Sequence, residues 1–145
     1  MMAEQNMQEF IKVLSSKAAV PGGGGACAYV AAAGMALGAM VANLTTGKKK
    51  YAQYQEEIEE LLSKTEQLSK ELMTYMDKDA ESFEPLSKAY GLPKDTKEQQ
   101  EYKDVVMEKA LKEASLTPVA LMEKILEALK ILERLSVVGS RLAIS

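Results

Sequence analysis

The sequence has no histidine and no tryptophan, and its one cysteine is Cys27. Without histidine it lacks both the commonest general base and the commonest zinc ligand. Proton transfer would therefore fall to carboxylates, lysines or tyrosines, and too few soft ligands remain for a zinc site. A carboxylate-bound magnesium or calcium ion stays open in principle, but no EF-hand-like loop is present. One cysteine cannot close an internal disulfide, and no charged n-region with a cleavable apolar segment opens the chain. Both features point to a soluble, cytoplasmic protein. Proline is scarce, at Pro21, Pro85, Pro93 and Pro118, and the stretches between lack the Val/Ile/Thr alternation of a strand. That leaves helices.

Positive charge is also in short supply. A net charge of −3 and a pI near 5.2 argue against a sequence-independent nucleic-acid binder, which needs a strong basic face. What the chain does have is 47% hydrophobic and 27% charged residues over 145 positions, an ordinary globular composition for a single domain.

Asn6 with Glu9 forms a capping-box start for a helix carrying Met7, Phe10, Ile11 and Leu14, ending near Ser15. A connector through Val20 and Pro21 leads to the run Gly22, Gly23, Gly24 and Gly25. The segment from Ala26 to Ala42 bears no charge and is rich in Ala and Gly. A transmembrane helix wants about twenty strongly apolar residues, and this run is shorter and mostly alanine. The better reading is a central helix buried on all sides, whose Gly34 and Gly38 let neighbours approach closely.

After Gly47 come Lys48, Lys49 and Lys50, then a long helix from about Tyr51 towards Lys88. Tyr54, Ile58, Leu61, Thr65, Leu68, Leu72, Met76, Asp79 and Phe83 follow one another in steps of threes and fours, the seam of antiparallel helix packing. Pro85 should kink or loosen its last turn. Gly91, Leu92 and Pro93 break the chain. Asp95 with Glu98 begins another helix, its inner face Tyr102, Val105, Val106 and the stem of Lys109. Thr117 and Pro118 then restart the helix in cap-then-proline order, with Met122, Ile125, Leu129 and Leu132 on one stripe and Gly139 as C-cap. The sum is an all-α, antiparallel up-and-down bundle of five helices with no strands. Its core calls for a partner copy or more chain, because the apolar tail from Arg141 to Ser145 reads as the start of something further.

Three features could carry chemistry. Asp79 falls in the apolar seam between Met76 and Phe83, where pattern rules ask for an apolar side chain; burial favours the neutral form of a carboxylate and suits it to acid–base work near pH 7. The alternative is an edge position paired with a lysine. The glycine run before a helix leaves backbone N–H groups where an anion can sit, or else is a tight loop that lets two helices cross. It is not a Walker motif, since no strand precedes it and no Gly-Lys-Ser/Thr ends it. The lysine cluster is either solvated or a seat for a ligand with carboxylates, which it would also steer electrostatically.

Val20-Pro21-Gly22-Gly23-Gly24, Val41-Ala42-Asn43-Leu44-Thr45, Gly47-Lys48-Lys49-Lys50-Tyr51, Asp77-Lys78-Asp79-Ala80-Glu81-Ser82-Phe83 and Leu92-Pro93-Lys94-Asp95-Thr96 occur in that order. Together they resemble the cyclodeaminase domain of the formiminotransferase-cyclodeaminase family and its free-standing methenyltetrahydrofolate cyclohydrolase relatives. The resemblance covers essentially the whole chain. It implies one all-helical domain over residues 1–145 that forms a homodimer, and folate one-carbon interconversion with neither metal nor redox cofactor. It implies a general acid/base role for Asp79. Pro21, Gly22, Gly23, Gly24, Asn43, Lys48, Lys49 and Lys50 become candidates for holding a tetrahydrofolate derivative, the lysines for its glutamate tail. Gly25 stands where many relatives carry Ser. Relatives also continue past the equivalent of Ser145 with further helices, so the domain is expected to be truncated at its C-terminal side. The rival expectation is a truncated, non-catalytic helical module that self-associates or binds folate. A membrane-associated helix pair built on residues 26–42 is a third.

Overall fold

A computed structural model of the chain describes residues 1–144. The fold is all-α: among the described residues there are five α-helices and no strand. They are α1 (Met7–Leu14), α2 (Gly23–Thr45), α3 (Gln55–Tyr90), α4 (Lys97–Val138) and the short α5 (Arg141–Ile144), with 3₁₀ turns at Met2–Glu4 and Lys49–Tyr54.

The helix starts follow local chemistry. Asn6 accepts from the Glu9 amide at 2.9 Å, the expected cap of α1. At α4 the cap lies one residue beyond the expected Asp95–Glu98 pair. Thr96 Oγ1 accepts from the Gln99 amide, and Gln99 Oε1 accepts in return from the Thr96 and Asp95 amides, a reciprocal box that satisfies one donor of the first turn and the two amides just before it. Gly47, with φ +76°, supplies the left-handed residue that turns the chain after α2. α3 begins at Gln55 because Lys49–Tyr54 winds as 3₁₀ helix.

The number of helices matches the sequence-based expectation, but their division does not. α4 runs unbroken through Thr117 and Pro118, and α3 likewise carries Pro85. A proline removes one N–H from the ladder, and the buried Ala110 and Leu121 hold α4 on both sides of Pro118, so the helix continues. The inner face of α4 is only partly the expected one: Val106 packs against the buried cluster of Leu86, Ala89 and Ala110, and Ile125 and Leu132 are half-buried. Tyr102 and Val105 are exposed, as are Met122 at 69% and Leu129 at 56%, while Ala110, Leu121, Ala128, Ile131, Leu135 and Val138 are buried. The helix carries two apolar stripes, and periodicity alone could not tell which one faces inward.

The chain forms two compact units. The first comprises Met1–Cys27 and Thr74–Leu121; the second comprises Ala28–Met73 and the stretch from Met122 on. In the first, Leu86, Ala89 and Ala110 make a small core joined by Phe83, Leu92, Val106 and Met107. In the second, the α3 seam runs as expected: Ile58, Leu61, Thr65, Leu68 and Leu72 are all buried. The Thr65 hydroxyl donates to the Leu62 carbonyl, so its burial leaves no polar atom unpaired. Gly38 lets α4 come close, since a Cβ there would lie 2.9 Å from Leu132 Cδ2.

α2 is not buried on all sides. Val30, Leu37, Met40 and Leu44 are exposed, and about a third of its apolar window is buried inside the chain. Leu37 and Met40 of this outer stripe border a hollow shared with Leu132 and Leu135 of α4. By length and composition alone α2 could cross a membrane, with a window mean hydropathy of 1.7.

Candidate active site

In the first unit the connector before α2 turns through a cis Val20–Pro21 peptide bond and buries Pro21, and α2 opens at Gly23. The first amides of a helix have no partner within it. Here one of them finds Asp79 of α3: the Gly25 N–H donates to Asp79 Oδ2 at 3.0 Å. The carboxylate lies close to the glycines, with Gly22 and Gly25 each 4.0 Å from Oδ2 when measured from the place of a Cβ. Asp79 is half-buried. Its partner is a backbone amide, not the lysine that an edge position would have required.

The carboxylate borders a cavity of about 420 Å³. Val20, Phe83, Leu86, Leu111, Ala114 and Pro118 give it apolar walls, and Ser82 and Ser115 add hydroxyls. The Ser82 hydroxyl donates to the Asp79 carbonyl and the Ser115 hydroxyl to the Lys112 carbonyl. Each oxygen therefore turns lone pairs, rather than its proton, towards any further partner. Pro118 has no N–H to offer the Ala114 carbonyl four residues earlier, which adds an acceptor on the same stretch of helix. Asp79 is the only titratable group among the lining residues. Apolar walls with several acceptors suit a ligand that combines an apolar body with hydrogen-bond donors.

The structure brings Gly22, Gly23 and Gly24 together with Asp79 and buries Pro21 behind them. It does not add the lysines or Asn43 to that unit. Asn43, Lys48, Lys49 and Lys50 are exposed residues of the second unit. There Lys48 Nζ donates to the buried Ser140 Oγ at 3.1 Å, and the Ser140 amide donates to Thr45 Oγ1 at 2.7 Å. Lys50 stands 5.7 Å over the Tyr51 ring, and the Tyr51 hydroxyl accepts from the Arg141 amide at 3.2 Å. That amide, with help from Ser140, Lys50 and Lys48, lowers the Tyr51 pKa from its ordinary value. Sequence reasoning missed Ser82, Leu111, Ser115 and Pro118. Three of these come from α4 and reach the cavity only through tertiary packing. Ser82 lay inside a recognised motif, one turn from Asp79. A further hollow of about 360 Å³ lies in the second unit between α2 and α4, with Ser136 as the only polar side chain among its lining residues.

The first unit is thus all-α, with one cavity carboxylate pinned to a glycine-rich helix start. The chain belongs to the formiminotransferase-cyclodeaminase family, whose sequence profile matches residues 6–145. It is similar to the methenyltetrahydrofolate cyclohydrolase of Methylorubrum extorquens, with 40% identity over 120 residues, covering 83% of this chain and 58% of that protein. It is also similar to the formimidoyltransferase-cyclodeaminase of Sus scrofa, with 31% identity over 134 residues, 92% of this chain and 25% of that protein. The fold resembles the crystal structure of formiminotetrahydrofolate cyclodeaminase from Thermotoga maritima, with a TM-score of 0.83 and 29% identity over 99% of this chain and 67% of that one. The chain thus spans little more than half of the bacterial cyclohydrolase and a quarter of the bifunctional protein.

Proposed function

We propose that the chain works in cytoplasmic folate one-carbon interconversion, as a methenyltetrahydrofolate cyclohydrolase or a formimidoyltetrahydrofolate cyclodeaminase, with Asp79 as general acid/base. The observation that carries this reading is the Asp79 carboxylate, held by the Gly25 amide at 3.0 Å beside a cavity with apolar walls. The names of the relatives supply the substrate class.

In the hydrolytic direction water attacks the bridging carbon of the methenyl cation and gives one proton to Asp79. The N5–carbon bond then breaks, Asp79 returns that proton to N5, and the hydroxyl loses its own proton as the formyl group forms. One proton is released overall. In the deaminating direction N10 attacks the formimidoyl carbon and gives its proton to Asp79. The departing nitrogen takes that proton and one more to leave as ammonia, and the methenyl cation remains. Both directions need one group that accepts and donates at nearly the same place, and neither calls for a metal or redox cofactor. Gly22, Gly23 and Gly24 present backbone to the ligand beside Asp79. The cations at Lys48, Lys49 and Lys50 suit the carboxylates of a glutamate tail.

The exposed apolar stripe of α2 (Val30, Leu37, Met40, Leu44), and that of α4 with Leu116, Val119, Met122, Leu126 and Leu129, favour self-association into a homodimer. Sedimentation at micromolar concentration should give a dimer, and a monomer there would refute it.

The test of the main reading is loss of the near-ultraviolet absorbance of 5,10-methenyltetrahydrofolate, with ammonia release from the formimidoyl compound as the second assay. Asp79→Asn keeps the acceptor for Gly25 and removes the titrating proton. It should lower turnover about 10²- to 10⁴-fold. Unchanged turnover would exclude the acid–base role, and no turnover in either assay by the parent chain would favour a non-catalytic helical module.

A further inference from the structure

The four glycines of the turn are not equivalent. A Cβ built on Gly23 meets nothing within 4 Å, and one on Gly25 finds ordinary contacts, the nearest being Pro21 Cβ at 3.5 Å. A Cβ on Gly24 would lie 2.1 Å from Asp79 Oδ1, 2.5 Å from Cγ and 2.8 Å from Oδ2. Gly24 is not there for its backbone, because Gly47 is the one residue described with positive φ. What position 24 supplies is space, and the Asp79 carboxylate fills it.

The two carboxylate oxygens also differ. Oδ2 accepts from the Gly25 amide, whereas no hydrogen bond to Oδ1 is formed among the described residues. We propose that Gly24 is a positioning residue for Asp79, its missing side chain being the seat of the carboxylate, and that Oδ1 is the oxygen that exchanges the proton while Oδ2 stays on the Gly25 amide. This rests on the acid–base reading above.

Gly24→Ala should lower kcat about a hundredfold, the scale of an ångström-sized misplacement, while KM changes less than about threefold. In the parent chain the Gly25 amide cross-peak in a proton–nitrogen correlation spectrum should move as Asp79 titrates, and in Gly24→Ala that movement should vanish. Stability supplies a measurement independent of activity. Gly24→Ala should lower the unfolding midpoint in the parent background but leave it level or raised in an Asp79→Ala background, where the clash is gone. The Asp79→Ala background also serves if Gly24→Ala alone fails to fold. An additive cycle, or a Gly25 amide that still tracks the titration in Gly24→Ala, would overturn the positioning role. If the parent shows no turnover, the folate reading fails, yet the spectrum and the cycle still decide the proposal about Gly24.

Discussion

Replacing Gly38 or Gly34 by alanine changes the same helix by the same atoms one turn apart, and the two substitutions should move stability in opposite directions. In a helix interior Gly→Ala is worth about 1 kcal/mol in reduced backbone entropy and better propensity. At Gly34 the new Cβ meets nothing within 4 Å, so that gain should appear nearly whole. At Gly38 it would sit 2.9 Å from Leu132 Cδ2 and 3.4 Å from both Leu135 Cδ1 and Thr65 Cγ2. Leu132 is half-exposed and can swing away, but Leu135 and Thr65 are buried at 2% and 0% exposure and cannot. Overpacking of a filled core costs about 1–3 kcal/mol, so the net change at Gly38 is a loss of about 1 kcal/mol. The two variants should therefore differ by about 2 kcal/mol, with urea midpoints shifted in opposite directions and an unchanged m-value. If Gly38→Ala is as stabilising as Gly34→Ala, the close approach of α2 and α4 at Gly38 is wrong, and with it the reason a glycine stands there.

Three further outcomes follow from other contacts. The Arg134 guanidinium bonds both oxygens of Glu57 and, chiefly through that hydrogen bond, holds the Glu57 pKa below its ordinary 4.5. A carboxylate with a depressed folded-state pKa contributes stability above its unfolded value and loses it as the pH falls through the folded one. Arg134→Met should therefore be less stable than the parent at pH 7, with the difference closing below about pH 4.5; a gap that persists at lower pH would mean packing, not charge. Lys103 Nζ donates to the Tyr90 and Leu92 carbonyls at 2.8 Å each, closing the end of α3, so Lys103→Met should cost about 1–2 kcal/mol, and hydrogen exchange should speed up in the last turn of α3. Alanines at Lys48, Lys49 and Lys50 should weaken binding of a polyglutamylated folate more than of the monoglutamate, and equal weakening would mean that these lysines do not hold the tail.

How much of this was legible in the sequence depended on how one-sided each helix is. α3 has charges on one side and apolar residues in a single seam, and its inward residues from Ile58 to Met76 were all correctly read. α2 and α4 carry apolar residues on more than one side, so Val30, Met122 and Leu129 were placed inside although they are exposed. Thr117–Pro118 has the local grammar of a helix start and became the interior of α4 because packing on both sides outweighed one lost hydrogen bond. Asp79 stood out as the polar residue in an apolar seam. Nothing local marked Leu111, Ser115 or Pro118 as its neighbours, and no pattern could have separated Gly24 from the glycines beside it.

The bond from the Gly25 amide to Asp79 gives one carboxylate two employments, since the acceptor that completes the first turn of α2 is also the proposed proton carrier. Asparagine can fill the first post and not the second. A survey of variants scored by how much folded protein accumulates would therefore pass Asp79→Asn as harmless and flag Asp79→Ala, although both lack the proton. At this position abundance and activity must be read separately, and the discrepancy between them is the signature of the site.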